Sequence, residues 1–167
     1  MSYAESKRYQ NALEQYCAEQ FPHYLMTLHF HSPHALYIRS AQKTIRHWAA
    51  MVDRKLLGKR WLMAESRMRY IAVPEGHRSH ESDSANPAFR DLHYHLILTP
   101  AEGWKASVQE EDLRVLFSRL WTKCAPAGEV DLQSILDGAC SRRRVSSYVC
   151  KRVSAPDAIG LEYFVLA

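Results

Sequence analysis

The sequence predicts an α+β fold in which a central antiparallel sheet of about five strands is flanked by helices. Three observations lead to it. The segments follow in the order helix, strand, helix, strand, strand, helix, strand, helix, strand. The strands on either side of residues 76–91 are joined by a loop with no helical pattern, so they run antiparallel. And 167 residues with 47% hydrophobic and 24% charged side chains suffice for one core and hardly for two, so residues 1–167 are read as a single domain. Helices packed on an antiparallel sheet are one of the few layer arrangements that bury the apolar side of both.

Residues 3–20 favour a helix carrying Tyr9, Leu13, Tyr16 and Cys17 on one side, so residues 1–21 form an N-terminal helical segment that Pro22 stops. Tyr24-Leu25-Met26-Thr27-Leu28-His29-Phe30 is a first strand, ended by Ser32-Pro33. Ser40 is placed to cap a helix whose buried stripe is Ile45, Trp48, Ala49, Val52 and Leu56, closing at Gly58. Residues 60–75 hold Trp61-Leu62-Met63 and Tyr70-Ile71-Ala72-Val73 around the polar Glu65-Ser66-Arg67, as one bent strand or two short ones. Gly76 to Asp91, rich in Ser, His, Asp and Asn, reads as a long hairpin loop, and Leu92 to Thr99 as the strand beyond it.

Ser107 and Glu110 have capping-box spacing ahead of a stripe of Leu113, Leu116, Phe117, Leu120, Trp121 and Cys124, which ends before Pro126. Glu129 to Ile135 alternates as a fourth strand, Ser141 to Val153 is helical, and Glu162 to Leu166 is the final strand.

Charge and cysteine content narrow the class. Lys and Arg exceed acids by four, which mildly favours a polyanionic partner. The excess is concentrated: from Arg39 to Arg69 there are nine bases against Asp53 and Glu65, and Arg142, Arg143, Arg144, Lys151 and Arg152 follow one another without an acid. The cysteines Cys17, Cys124, Cys140 and Cys150 lack metal-knuckle spacing and are read as reduced and structural. No apolar run is long enough for a membrane span and no signal peptide opens the chain, so an intracellular, cytoplasmic protein with no membrane partner is expected.

The stretch His93-Tyr94-His95-Leu96-Ile97-Leu98 carries the first candidate chemistry. In a strand, Leu92, Tyr94, Leu96 and Leu98 take one face and His93 and His95 the other, about 7 Å apart along the chain, so two imidazoles can converge on one divalent ion. About half a His-x-His pair is expected by chance from nine histidines, and His29-Phe30-His31 is a second instance. The later pair is preferred because it lies inside a cleanly alternating strand, whereas His31 runs into Ser32-Pro33. A hydrogen-bonded histidine pair on a polar sheet face is the competing reading. For a hard third ligand Glu75 comes first, with Glu65 and His77 as rivals; Asp91 shares the histidine face by parity but suits the turn opening the strand.

The second stretch is Ser147-Tyr148-Val149-Cys150-Lys151. Helical spacing lets Arg144, Tyr148 and Lys151 crowd one face, where the two cations can favour a negative charge on the tyrosine oxygen and make it a nucleophile. A packing tyrosine is the alternative role, and Tyr163, with apolar neighbours, is a rival that looks like core. A metal that polarises a phosphate and a phenolate that attacks it together describe phosphodiester transesterification, leaving a 5′-phosphotyrosine link and a free 3′ hydroxyl.

In this order and spacing, Tyr24–Phe30, His93-Tyr94-His95 and Tyr148-Val149-Cys150-Lys151 resemble the three motifs of the HUH endonuclease superfamily, in particular its single-tyrosine rolling-circle replication initiators; the likeness covers about residues 22–167. The resemblance implies a Rep-like nuclease fold of antiparallel sheet and flanking helices. It implies that His93 and His95 bind Mg²⁺ or Mn²⁺ with a third ligand from the paired strand, which favours Glu75. Tyr148 is then the nucleophile, and Lys151 positions or activates the phosphate or tyrosine; from the acid-free basic run, Arg142, Arg143, Arg144 and Arg152 are expected to contact nucleic acid. The implied substrate is single-stranded DNA at an origin or hairpin site.

The 76–91 loop departs from the compact hairpin common in that family. No Tyr-x-x-x-Tyr pair points to the two-tyrosine initiators. No Gly-x-x-x-x-Gly-Lys loop is present, so no ATP use is expected, and unwinding falls to a partner such as a separate host helicase or to a missing segment, a truncated nuclease domain being one reading of the chain's end. Two alternatives stay open: a single-tyrosine insertion-sequence transposase, and a non-catalytic single-stranded DNA-binding protein using Trp61, Trp104 and the basic runs.

Overall fold

The computed structural model describes residues 3–20, 22–63, 67–80, 85–100, 104, 108–135, 138–151 and 164–166. Along them run α1 (Tyr3–Glu19), β1 (Tyr24–His29), β2 (Leu36–Tyr37), α2 (Ile38–Leu57), β3 (Arg69–Arg78), β4 (Ala88–Thr99), α3 (Glu110–Cys124), β5 (Glu129–Ser134), α4 (Ala139–Cys150) and β6 (Val165–Leu166). The strands form one six-stranded sheet in the order β5-β1-β4-β3-β6, with the short β2 also paired to β4, and every pairing is antiparallel. The fold is α+β, a sheet between two helical layers.

Strand pleating sorts the core into two unequal halves. Leu92, Tyr94, Leu96 and Leu98 of β4 pack with Met26 and Leu28 of β1 against α2 and α3, where Trp48, Phe117 and Trp121 are fully enclosed. Their rings meet edge to face, Trp48 on Phe117 at 5.5 Å and Phe30 on Trp121 at 4.9 Å. Two of the buried indole nitrogens are satisfied by carbonyls, Trp48 donating to Phe117 and Trp121 to His29. Gly128 leaves room for that second bond, since a Cβ there would collide with the Trp121 ring nitrogen and the His29 carbonyl.

On the opposite face a smaller cluster of Ile71, Val73 and Ile97 is covered by Cys17 of α1 and by Val149 and Cys150 of α4. All four cysteines are free, and the Cys17 and Cys150 thiols lie against each other where α1 meets α4; that contact, with burial, pushes the Cys150 thiol well above its ordinary range. Among the described residues no helix is long and apolar enough to cross a membrane.

Several expected boundaries shift. Trp61-Leu62 is not strand: residues Gly58–Leu62 form a 3-10 helix, entered through Gly58 at a φ of 57°. The helix expected to be capped by Ser40 begins at Ile38 with Tyr37 as its cap, and the Ser40 carbonyl instead accepts the Thr44 hydroxyl. Gln109 occupies the cap of α3, which puts Glu110 at the first helical position and not the third; Ser107 lies outside the described residues. The long 76–91 loop is much shorter than expected, because β3 continues to Arg78 and β4 already starts at Ala88. The final strand is described as Val165–Leu166 only, Glu162 and Tyr163 lying outside the described residues.

Candidate active site

Antiparallel register builds the site in two rows across the smaller-core face of the sheet. One row runs Thr27, His95, Val73 across β1, β4 and β3; the next runs His29, His93, Glu75. Beyond Glu75 the β3–β4 register shifts, so that His77 faces Arg90. The extra residue falls on β4, where Asp91 adopts a φ of 50°. Gly76 lies so close to β4 that a Cβ would sit 3.1 Å from the Arg90 carbonyl oxygen and from Leu92 Cα. This bulge turns the Asp91 carbonyl back toward the His93 ring.

Glu75, His93 and His95 each offer one donor atom, and the three lie within 4.8 Å of one another, a group that can hold a metal ion. Both imidazoles aim Nε2 at the same carboxylate oxygen, Glu75 Oε2, at 3.0 Å from His95 and 3.7 Å from His93. Their Nδ1 atoms are held from behind. His93 Nδ1 lies 2.9 Å from the Asp91 carbonyl, which can only accept, so the proton is on Nδ1 and the Nε2 lone pair is left facing the site. His95 Nδ1 lies 3.1 Å from the Thr27 hydroxyl. A hydroxyl donates or accepts, so Thr27 serves His95 both when Nε2–H donates to Glu75 and when Nε2 gives up its proton to become a ligand.

The electrostatics suit a neutral His95 imidazole beside a carboxylate. Burial first, and the nearness of the His93 imidazole second, lower the His95 pKa to about 4. Burial pulls the Glu75 carboxyl upward, but the Lys151 ammonium and His95 outweigh it and hold it below its ordinary value. Two nitrogen donors and a carboxylate oxygen fit a borderline or moderately hard divalent ion.

Helix α4 brings the tyrosine over this group. The Tyr148 ring, about half exposed, meets the His95 ring edge to face at 5.2 Å between centroids. Lys151, the residue closing α4, lies with Nζ 4.3 Å from the centre of the Tyr148 ring and 3.3 Å from Glu75 Oε2. Packing of Val149 and Cys150 into the smaller core anchors the turn that carries both.

Not every candidate converges. Lys151 is the cation against the Tyr148 ring, while Arg144 lines, with Arg142 and Arg143, a groove of about 790 Å³ between α4 and α1 whose other wall includes Glu14 and Glu19. Arg152, Glu65 and Tyr163 lie outside the described residues. His77 is exposed and past the bulge, so Glu75 is the described third donor. Asp91 contributes its carbonyl and not its carboxylate.

Two neighbours carry no assignment in the sequence reading, Thr27 behind His95 and His29 beside His93. His29, in the first His-x-His pair, stacks on His93 at 5.2 Å and on His31 at 5.2 Å, and His31 in turn contacts Glu129 at 3.2 Å. Burial, then the charges of His93 and His31, lower the His29 pKa. The signal was present as His29-x-His31 but needed the β1–β4 register to join it to His93. Comparison of the chain with protein-family models, with curated proteins and with solved structures found no significant match in any of the three.

Proposed function

We propose that this chain is a metal-dependent endonuclease and strand transferase that nicks and rejoins single-stranded DNA through a 5′-phosphotyrosine intermediate, the chemistry that opens rolling-circle replication. The observation that carries the reading is the meeting of Tyr148 and Lys151 with Glu75, His93 and His95, groups from three separate segments of the chain, around one small volume.

Glu75, His93 and His95 would hold the ion, Mg²⁺ or Mn²⁺, and when bound it supplies Lewis-acid polarisation of the scissile phosphate. The chain's own groups do the rest. The Tyr148 oxygen, its proton released to the solvent that reaches the ring, attacks phosphorus; the P–O3′ bond breaks, and the departing 3′ oxygen takes up a proton. Lys151, within contact of both the ring and Glu75, places positive charge where the phosphoryl oxygens gather negative charge. Because one ester replaces another, the bond is conserved and the free 3′ hydroxyl can later reverse the step.

The test incubates the protein with a labelled random pool of single-stranded oligonucleotides and Mn²⁺. A slower-migrating species that survives SDS and disappears with EDTA is expected. Binding without any such species, with and without metal, would leave only a DNA-binding protein.

A further inference from the structure

The largest charge excess in the chain is not at the site just described. All nine bases between Arg39 and Arg69 are exposed, whereas the described acid among them, Asp53, is buried with its carboxylate accepting the Met68 backbone N–H. The exposed surface of this stretch is therefore lined by its bases, with Asp53 lying beneath Arg67.

Helix geometry orders these charges. Arg39, Lys43, Arg46, Ala50 and Arg54 fall at steps of four, three, four and four, within an arc of about 80° at 100° per residue, and span about 22 Å. The ridge lies away from the stripe of Ile45, Trp48 and Val52 that α2 buries, so it faces solvent. Its C-terminal end is braced. The Arg54 and Arg67 guanidinium carbons lie 4.6 and 5.5 Å from the centre of the Trp61 ring, and Arg67 Nε donates to the Trp61 carbonyl at 3.0 Å. Beside them Arg46, Arg67 and Arg69 line a cleft of about 380 Å³ with Trp61 and Tyr70.

We infer that the α2 ridge is a phosphate-backbone grip for nucleic acid, on the face of the sheet opposite the histidine and tyrosine site. Four cations along one ridge of about 22 Å, with Ala50 between Arg46 and Arg54, are placed to meet several phosphates of a strand. Trp61 is already engaged with two guanidiniums, so it orients cations and is not an open platform for base stacking. The ridge reads charge and not sequence, and holds DNA flanking the cut. Only the choice of DNA as the polyanion rests on the reading given under Proposed function.

The test measures binding of a fluorescein-labelled 30-base-pair duplex of arbitrary sequence, and of its single strand, in EDTA across a salt series. Wild type is compared with the triple variant Lys43→Gln, Arg46→Gln, Arg54→Gln, whose fold is checked by circular dichroism. Loss of three phosphate contacts is expected to flatten the slope of log K against log salt by about 2.7 for duplex or about 2 for single strand, and to weaken binding by tenfold or more at low salt. Unchanged slope and affinity would overturn the grip. So would intact DNA binding with lost binding to phosphatidylglycerol vesicles, which makes the ridge a membrane contact. The covalent adduct assay on wild type scores the cutting reading separately. An adduct with an unchanged slope overturns the grip alone, and a flattened slope without an adduct supports the grip while removing the cutting.

Discussion

Lys151 Nζ stands 3.3 Å from Glu75 Oε2, the same oxygen that His95 Nε2 approaches at 3.0 Å. A cation from the end of α4 thus shares the carboxylate oxygen of the group on β3 and β4 that can hold a metal ion. An incoming divalent ion must approach against the Lys151 charge, so Lys151→Ala is expected to bind Mn²⁺ several-fold more tightly, since the pair is partly exposed and screened. Its rate of DNA cutting should nonetheless fall, because positive charge is lost beside the phosphoryl oxygens. Calorimetric titration with Mn²⁺, run beside single-turnover cutting, checks the two opposite signs. Weaker metal binding in the variant would mean Lys151 organises the ligands instead of opposing the ion.

Tyr148→Phe removes one oxygen from a half-exposed ring whose contact with His95 is made by the ring itself. The unfolding midpoint should stay within about 2 °C of wild type and DNA binding should persist, while adduct formation disappears. Thermal melts and the SDS-gel assay decide it. Full cutting by this variant moves the nucleophile elsewhere.

Thr27→Val takes away the hydroxyl behind His95 Nδ1 and leaves the ring without the partner that serves both tautomers. Metal affinity is expected to fall by about 10- to 100-fold, and Thr27→Ser, which restores a hydroxyl, should recover most of it. A valine variant with wild-type affinity would show that burial alone orients His95.

The acid limb of stability follows from His95. In metal-free protein the unfolded chain takes up its proton near 6.5 and the folded chain only near 4, so between these values the unfolded state binds more protons and stability falls as pH is lowered. The contribution is complete above pH 6.5 and about 3 kcal/mol is lost by pH 4. Glu75, held below its ordinary value, adds a loss of the same sign at the acid end. Urea unfolding in EDTA at pH 7.5 and pH 5 should show about 2 kcal/mol of this drop in wild type and less in His95→Gln. Equal drops would place the titrating group elsewhere.

Much of the site was legible because it depends on short-range periodicity. The alternation that puts His93 and His95 opposite Tyr94 and Leu96 is a property of any strand, and the three-residue step from Tyr148 to Lys151 holds in any helix. Glu75 could be put first but not separated from Glu65 and His77, because that choice needs the β3–β4 register, and register is a long-range property. His29 was missed for the same reason, since pairing with His93 cannot be read from residues 24–30 alone. The polar composition of 76–91 misled in another way: ladder hydrogen bonds are backbone bonds, so His77, Arg78 and Arg90 extend the hairpin without apolar side chains. Trp61-Leu62-Met63 was too short an apolar run to separate a strand from a helical turn.

The central claim is that a tyrosine oxygen on α4 becomes esterified to DNA at the Glu75, His93 and His95 group. The most direct measurement is mass spectrometry of the protease-digested adduct formed with single-stranded oligonucleotide and Mn²⁺. The account expects one modified peptide, carrying a 5′-phosphonucleotide on Tyr148, absent from the EDTA control. Modification of a different residue, Tyr163 for example, or a cleaved strand with no nucleotide attached to any peptide, would contradict it.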